Sequence, residues 1–315
     1  MGIRLASKRA YFLRYMYHDP VMLTECLEGL AIDPNGTYVD VTFGGGGHSR
    51  AILEQLENGR LLVFDQDDAV RKNAEGFEDQ RFTFIDANFR HLKKYLRHVG
   101  VRQVNGILGD LGVSSHQFDT AERGFSTRFD ADLDMRMNTH AGINARDVLN
   151  EYSEEQLHKI FGMYGEVQNA RTAAAAVVTA RANAPINTVN NLKTVLSRQA
   201  QRGRENKYFA QIFQAVRIEV NDEMGALQDF LTQVPEVLAP NGRLVVMSYH
   251  SLEDRLVKNF INKGKFHGEV EKDFFGNEIK PLRGITRKPI EASDEEIARN
   301  PRARSAKLRV ASKLN

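Results

Sequence analysis

Short apolar runs and longer amphipathic stretches alternate along the first third of the chain. Residues 38–42 (Tyr-Val-Asp-Val-Thr) form a β-branched and aromatic run that enters four glycines, Gly44 to Gly47, and residues 49–56 then take helical spacing. Residues 60–64 (Arg-Leu-Leu-Val-Phe) and 81–85 (Arg-Phe-Thr-Phe-Ile) are two more buried-strand patterns, closed by Asp65 and Asp86. A fourth strand is predicted over 106–108, ahead of Asp110, and a fifth over 243–248, after a Pro-Asn-Gly turn. Strands alternating with helices imply a parallel sheet covered on both faces.

Roughly 130 residues separate the fourth and fifth strands, far more than one crossover helix needs. Most of that stretch is helical in pattern. Ser153 to Gln156 is a capping box, residues 170–181 are alanine-rich, Thr188 is placed to cap the next helix, and 208–220 carries apolar residues at helical spacing. The expected organisation is a Rossmann-like α/β domain in two parts, 1–117 and 221–315, with an all-helical substrate-recognition domain, 118–220, inserted between them. Residues 110–137 read as a polar loop following a strand end, where function concentrates.

The chain has 315 residues, 42% hydrophobic and 27% charged, enough for one large core or two ordinary ones. It holds no run of 18 apolar residues and no signal-peptide pattern, so a cytoplasmic protein without a membrane span is expected. Cys26, the only cysteine, excludes an internal disulfide and cysteine-based zinc sites. The net charge is +2, but both ends are basic: Arg4, Lys8, Arg9 and Arg14 at the start, and Arg299, Arg302, Arg304, Lys307, Arg309 and Lys313 in a predicted C-terminal tail. Two readings stay open for these ends, solvated termini or a phosphate-binding surface.

In an open α/β sheet, ligands bind beyond the carboxyl ends of the strands. The glycine turn lets backbone approach a ligand, and Asp65, about 20 residues on, is placed to accept two ribose hydroxyls. A nucleoside-containing cofactor is implied. The dinucleotide fingerprint G-x-G-x-x-G fails, because counting from Gly44 puts Ser49 in the sixth position. S-adenosylmethionine has no pyrophosphate to cradle, and Asp40 suits its cationic methionine end, directly or through water. Methyl transfer is therefore favoured over hydride transfer.

The motifs together resemble the bacterial 16S rRNA (cytosine-N4) methyltransferase family, which acts on cytidine 1402. They are His-Asp-Pro-Val-Met-Leu at 18–23, Asp-Val-Thr-Phe-Gly-Gly-Gly-Gly-His-Ser at 40–49, Asp-Leu-Gly-Val-Ser-Ser-His-Gln at 110–117, Arg-Gly-Phe-Ser at 123–126, Leu-Asp-Met-Arg-Met at 133–137, Phe-Gln-Ala-Val-Arg-Ile at 213–218, Ser-Tyr-His-Ser-Leu-Glu-Asp-Arg at 248–255 and Asn-Pro-Arg-Ala-Arg-Ser at 300–305. The resemblance spans nearly the whole chain. It implies an S-adenosylmethionine-dependent enzyme, with cofactor contacts at Gly46, Gly47, His48, Asp65, Phe89, Asp110 and Gln117. The implied substrate is 16S rRNA, within the 30S subunit, and the implied assembly is a monomer or homodimer without metal.

Transfer from a sulfonium is an in-line displacement, so positioning of the acceptor nitrogen dominates. A carboxylate or carbonyl accepting N4–H would localise the amine lone pair. Asp110 is the first candidate and His250 the second; the alternatives are a cofactor contact for Asp110 and a turn residue for His250. His48 is open to a second reading as a helix N-terminal residue. Phe118, Phe125, Phe129 and Tyr249 are candidates for stacking on the base, and Arg123, Arg128, Arg136 and Arg217 for phosphates. C5 methylation needs a cysteine nucleophile, and Cys26 is far from any strand end in sequence. The Asp-Pro-Pro-aromatic tetrapeptide of many amino-methyltransferases is replaced by Asp-Leu-Gly-Val at 110–113. An enzyme acting on DNA or another RNA, a nucleotide sensor and an NAD-dependent oxidoreductase are the competing readings.

Overall fold

Each apolar run in the first part of the chain becomes a strand: β1 (Thr37–Asp40), β2 (Arg60–Asp65), β3 (Phe82–Asp86) and β4 (Val104–Asp110). Leu61 to Phe64 are wholly buried, as expected for a strand covered on both faces. This computed structural model describes residues 20–140 and 142–314. His18, Asp19 and the basic residues Arg4, Lys8, Arg9 and Arg14 lie outside the described residues.

The chain divides into two compact units, one running to Gly112 and resuming at Ala226, the other Val113–Gly225. In the first, β5 (Leu238–Ser248) follows the helix Glu223–Val237 and pairs parallel to β4. The strand order is β3-β2-β1-β4-β5, continued by strands at Lys307–Lys313 and Leu282–Gly284, parallel from β3 through β5, with the order reversing between β1 and β4. That reversal is where an open α/β sheet binds its ligand.

The predicted basic tail is instead structure. Residues 307–313 form β8 (Lys307–Lys313), antiparallel to β5, and its other edge takes the short strands β6 (Leu282–Gly284) and β7 (Ile290–Glu291). Leu308, Val310 and Ala311 are buried, and the Arg309 guanidinium grips Asp254 through Nε–Oδ1 at 2.6 Å and Nη2–Oδ2 at 3.1 Å. The alternation of Leu308 and Val310 with basic residues is a strand pattern, and its burial takes precedence over its charge.

The helical unit carries Ala145–Glu151, Glu154–Met163, Ala170–Arg181, Val189–Leu196 and Glu205–Asn221 around a core that includes Leu157, Phe161, Val177 and Ile212. Ser153 and Thr188 cap helices as their sequence positions imply. The unit begins earlier than expected, because Val113 packs on this core and the helix Ser115–Asp119 belongs to it. Gln117 therefore falls in the helical unit.

The predicted loop over 110–137 is largely packed. Phe125, Leu133 and Met135 enter the helical core, which removes Phe125 from the candidates for base stacking. Gly124 turns the chain at φ +70°, where a Cβ would meet Asp132 O at 2.3 Å. The Asn221 side chain accepts from Met137 N at 2.7 Å and donates to Met135 O at 2.8 Å, pinning the same segment. Arg123 donates to the carbonyls of Arg136 and Met137, Arg136 pairs with Asp134, and Arg217 pairs with Glu223 through two bonds of 2.7 and 3.0 Å. Arg128 reaches Asp119 at 3.3 Å and lies over the Phe118 ring. Carboxylates and carbonyls of the unit itself occupy the guanidinium groups expected to meet phosphate.

Candidate active site

At the carboxyl end of β1 the chain turns through the glycines into the helix Gly47–Gln55. Gly46, its N-cap, sits at φ +75°, and a Cβ there would stand 2.9 Å from Phe77 Cζ and 3.0 Å from Phe43 Cε2. Gly45 differs: a Cβ there meets nothing within 4 Å, so this part of the loop borders open space. Gly46→Val is expected to lower Tm by several degrees through left-handed strain of about 1–2 kcal/mol plus ring displacement. Gly45→Ala is expected to melt like the parent yet bind cofactor less tightly; equal cofactor affinity in calorimetric titration would exclude a loop–ligand contact there.

Behind the loop, Asp40 is 1% exposed. Its Oδ2 accepts from Ser49 Oγ at 2.6 Å and its Oδ1 from Thr42 N at 3.1 Å. Asp40 thus holds the turn from the inside. Ser49, fully buried, stands where the dinucleotide fingerprint has its third glycine, and its hydroxyl is committed to Asp40.

Asp65 ends β2 and faces the loop. Its Oδ2 accepts from Gly44 N at 2.9 Å and its Oδ1 from Asp67 N at 3.0 Å, and the Gln66 amide donates to the same carboxylate. Asp86, the corresponding carboxylate of β3, is exposed and pairs with Arg71. The half-buried ring of Phe89 rests edge-on against Phe230, centroids 5.5 Å apart.

Asp110 closes β4 on the other side of the switch point. Its backbone N donates to Thr42 Oγ1 at 2.6 Å, and its Oδ1 accepts from the Tyr249 hydroxyl at 2.7 Å. His48 Nε2 bonds Val21 O at 3.0 Å; a carbonyl only accepts, so Nε2 carries the proton and Nδ1 is the atom 3.9 Å from Asp110 Oδ2. The Asp110 side chain is 24% exposed, and Oδ2 is the oxygen that Tyr249 leaves available. The structure thus joins Gly46, Gly47, His48, Asp65 and Asp110 around the end of β1. Tyr249, a candidate for stacking on a base, turns its hydroxyl to Asp110. Its position at the end of β5, next to β4, is the signal that places it beside Asp110.

His250 is the N-cap of the helix Ser251–Lys263: Nδ1 accepts from Glu253 N at 3.5 Å, and Nε2 lies 3.2 Å from Glu253 Oε1. Gln117 caps the helix Ser115–Asp119, its Oε1 accepting from Ser114 N at 3.0 Å.

Burial raises the Asp65 carboxyl to about 6; the Gly44 and Asp67 amides oppose the shift. Burial also raises Asp110 to about 6, against His48 and the Tyr249 hydrogen bond. Tyr249 is pushed well above its ordinary value by burial and by Asp110, so it remains a phenol donor. A carboxyl whose value rises on folding stabilises the fold fully below its unfolded value near 4 and loses that contribution as pH rises through about 6. The unliganded chain is therefore expected to melt a few degrees higher at pH 5 than at pH 7 in scanning calorimetry, with a smaller gain in Asp110→Asn. An equal gain in that variant would assign the effect elsewhere.

A parallel sheet reversing order at a glycine turn, with one carboxylate on each flanking strand and no third dinucleotide glycine, defines a Rossmann-like methyltransferase. The chain belongs to the MraW methylase family, whose model matches residues 15–314. It is 59% identical over 296 residues to the ribosomal RNA small subunit methyltransferase H of Cytophaga hutchinsonii, covering 94% of this chain and 99% of that one. The protein of the same name from Christiangramia forsetii is 54% identical over 299 residues, covering 95% and 98%. Among solved structures, an rRNA methylase from Streptococcus thermophilus is similar at TM-score 0.41 and 10% identity, covering 95% and 99%. Among the described residues, no helix is long and apolar enough to cross a membrane.

Proposed function

We propose that this chain transfers a methyl group from S-adenosylmethionine to the exocyclic N4 of a cytidine, position 1402, in 16S rRNA. The observation that carries the reading is the partly exposed Asp110 carboxylate at the switch point, its backbone held by Thr42 and its Oδ1 by the Tyr249 hydroxyl, with Oδ2 left available. Family membership and the names of the relatives support the RNA substrate.

The open space at Gly45 and the Asp65 carboxylate tied to the same glycine loop fit the cofactor. Gly46, Gly47, His48, Asp65, Phe89 and Asp110 would hold it, Asp65 on the ribose hydroxyls and Phe89 against the adenine. Bound S-adenosylmethionine supplies an electrophilic methyl group. Asp110 Oδ2 accepts an N–H of the cytosine amine, so the nitrogen lone pair localises and the developing positive charge is stabilised. With its pKa at about 6, Asp110 is an acceptor at pH 7 and is basic enough to take the proton that the amine loses. Tyr249 keeps the carboxylate turned, and the helical unit contributes RNA recognition.

The test is methyl incorporation from labelled cofactor into 30S subunits lacking the modification, with naked 16S rRNA and DNA in parallel, followed by nucleoside mass spectrometry. N4-methylcytidine in the 30S sample is expected. A different methylated nucleoside, or label in DNA alone, overturns the assignment.

A further inference from the structure

The carboxylate of Glu253 is buried behind Tyr249. It is 2% exposed and belongs to the first turn of the helix Ser251–Lys263, where it completes a capping box with His250. In such a box the side chain of the third helical residue returns to the N–H of the cap residue. The box at Ser153 does so on an exposed surface, Gln156 Oε1 accepting from Ser153 N at 2.8 Å. Glu253 reaches one residue further back. Its Oε2 accepts from Tyr249 N at 2.9 Å and, more loosely, from His250 N at 3.4 Å, and its Oε1 lies 3.2 Å from His250 Nε2. The shorter bond thus goes to the residue whose hydroxyl holds Asp110.

The turn that carries Glu253 is itself anchored. Asp254, the next residue, is gripped by Arg309 of β8, and Arg309 lies opposite Val246 of β5. β5 ends at Ser248, so Tyr249 is held on two sides, by the pairing of β5 with β8 before it and by Glu253 at its own N–H. Its ring lies beside Gly112, just beyond β4, where an added Cβ would stand 3.4 Å from Tyr249 Cδ2. Its hydroxyl then meets Asp110 Oδ1 at 2.7 Å. That hydroxyl is the far end of a rigid ring, so a small rotation of the backbone at residue 249 is magnified there. A misplacement of about 1 Å at a reacting centre can cost about 100-fold in rate.

We infer that Glu253 is a positioning residue for methyl transfer, fixing the Tyr249 backbone so that the Tyr249 hydroxyl holds Asp110 Oδ1 and leaves Oδ2 to the acceptor amine. It acts through Tyr249. The geometry carries this reading because a helix cap needs only the His250 N–H, which is the longer of the two bonds. The inference rests on the methyl-transfer role given to Asp110 above and extends that site by one layer, from Asp110 through Tyr249 to Glu253.

The test is a double-mutant cycle of Glu253→Ala and Tyr249→Phe, assayed at saturating cofactor as methyl incorporation into 30S subunits lacking the modification. Each single variant is expected to lower kcat about tenfold, the range for loss of one hydrogen bond to a charged group, with KM for the particle retained. The double variant should stay within about threefold of Tyr249→Phe, because nothing is left to position once the hydroxyl is gone. Glu253→Gln keeps an acceptor for Tyr249 N and should restore kcat to near the parental value. Glu253→Asp falls short of Tyr249 N but can still cap His250, as Asp147 does for Asn144, so it should melt close to the parent and be as slow as the alanine variant. A loss of about 100-fold in the double variant, the product of the two singles, would mean that Glu253 acts apart from Tyr249 and overturns the inference. Parental kcat in Glu253→Ala or Glu253→Asp makes the residue a helix cap and likewise overturns it. An active parent that fails the cycle leaves the methyl-transfer reading intact, whereas a parent that labels no RNA removes both.

Discussion

Asp110→Asn is expected to lower kcat for methyl transfer by about 100-fold or more, the range for loss of a positioned proton acceptor, while the fold stays as stable as the parent or gains stability. The amide retains an Oδ1 that accepts from Tyr249, and its NH2 takes the place of the oxygen that now lies 3.9 Å from His48 Nδ1. Replacing the carboxylate also removes a charge whose burial holds its pKa at about 6. What is lost is the acceptor for a proton from the amine. The variant thus separates chemistry from folding: calorimetry should show an unchanged or higher Tm at pH 7, and single-turnover labelling a slow step. Near-parental kcat would remove Asp110 from the reaction. Tyr249→Phe gives a milder version, because the carboxylate remains but can rotate. It should lower kcat by about tenfold, in line with loss of one hydrogen bond to a charged group.

Asp65→Ala is expected to weaken S-adenosylmethionine binding by about 100-fold or more. Two hydrogen bonds from ribose hydroxyls to a charged acceptor are worth about 3–6 kcal/mol together. The same substitution removes the acceptor of Gly44 N, so the glycine turn loses its tie to β2 as well. Titration calorimetry is the direct readout, with Asp86→Ala as the control. Asp86 ends the next strand but is exposed and paired with Arg71, so its loss should leave cofactor affinity unchanged. Equal Kd values for the parent and Asp65→Ala would exclude the ribose contact. Acidification acts in the same direction: affinity should fall as the solution drops below about pH 6, where Asp65 takes up a proton, even as the unliganded fold gains stability.

The helical insertion was legible from the distance between two strand patterns and from its capping boxes, because both are local signals. The glycine turn and the aspartates ending the strands were legible for the same reason. Other features were not. Residues 307–313 read as a charged tail because β8 has no glycine turn ahead of it, and only pairing with β5 makes its alternation a buried strand. Residues 110–137 read as a functional loop because their polar groups are dense. Several of those groups bond one another and carry Phe125, Leu133 and Met135 into the core.

Local chemistry, a strand feeding a glycine turn with a carboxylate at the next strand end, determined by itself that an open parallel sheet with a glycine turn forms here. Tertiary structure alone decided where each carboxylate sits. Asp65, Asp86 and Asp110 each follow an apolar run in the sequence, and Asp40 lies inside one. In the fold Asp40 is sealed behind the loop, Asp65 and Asp110 border the switch point, and Asp86 faces solvent. Strand-end position is set by residues adjacent in the chain, whereas burial and charge are set by residues distant in it, such as Tyr249, 139 positions beyond Asp110.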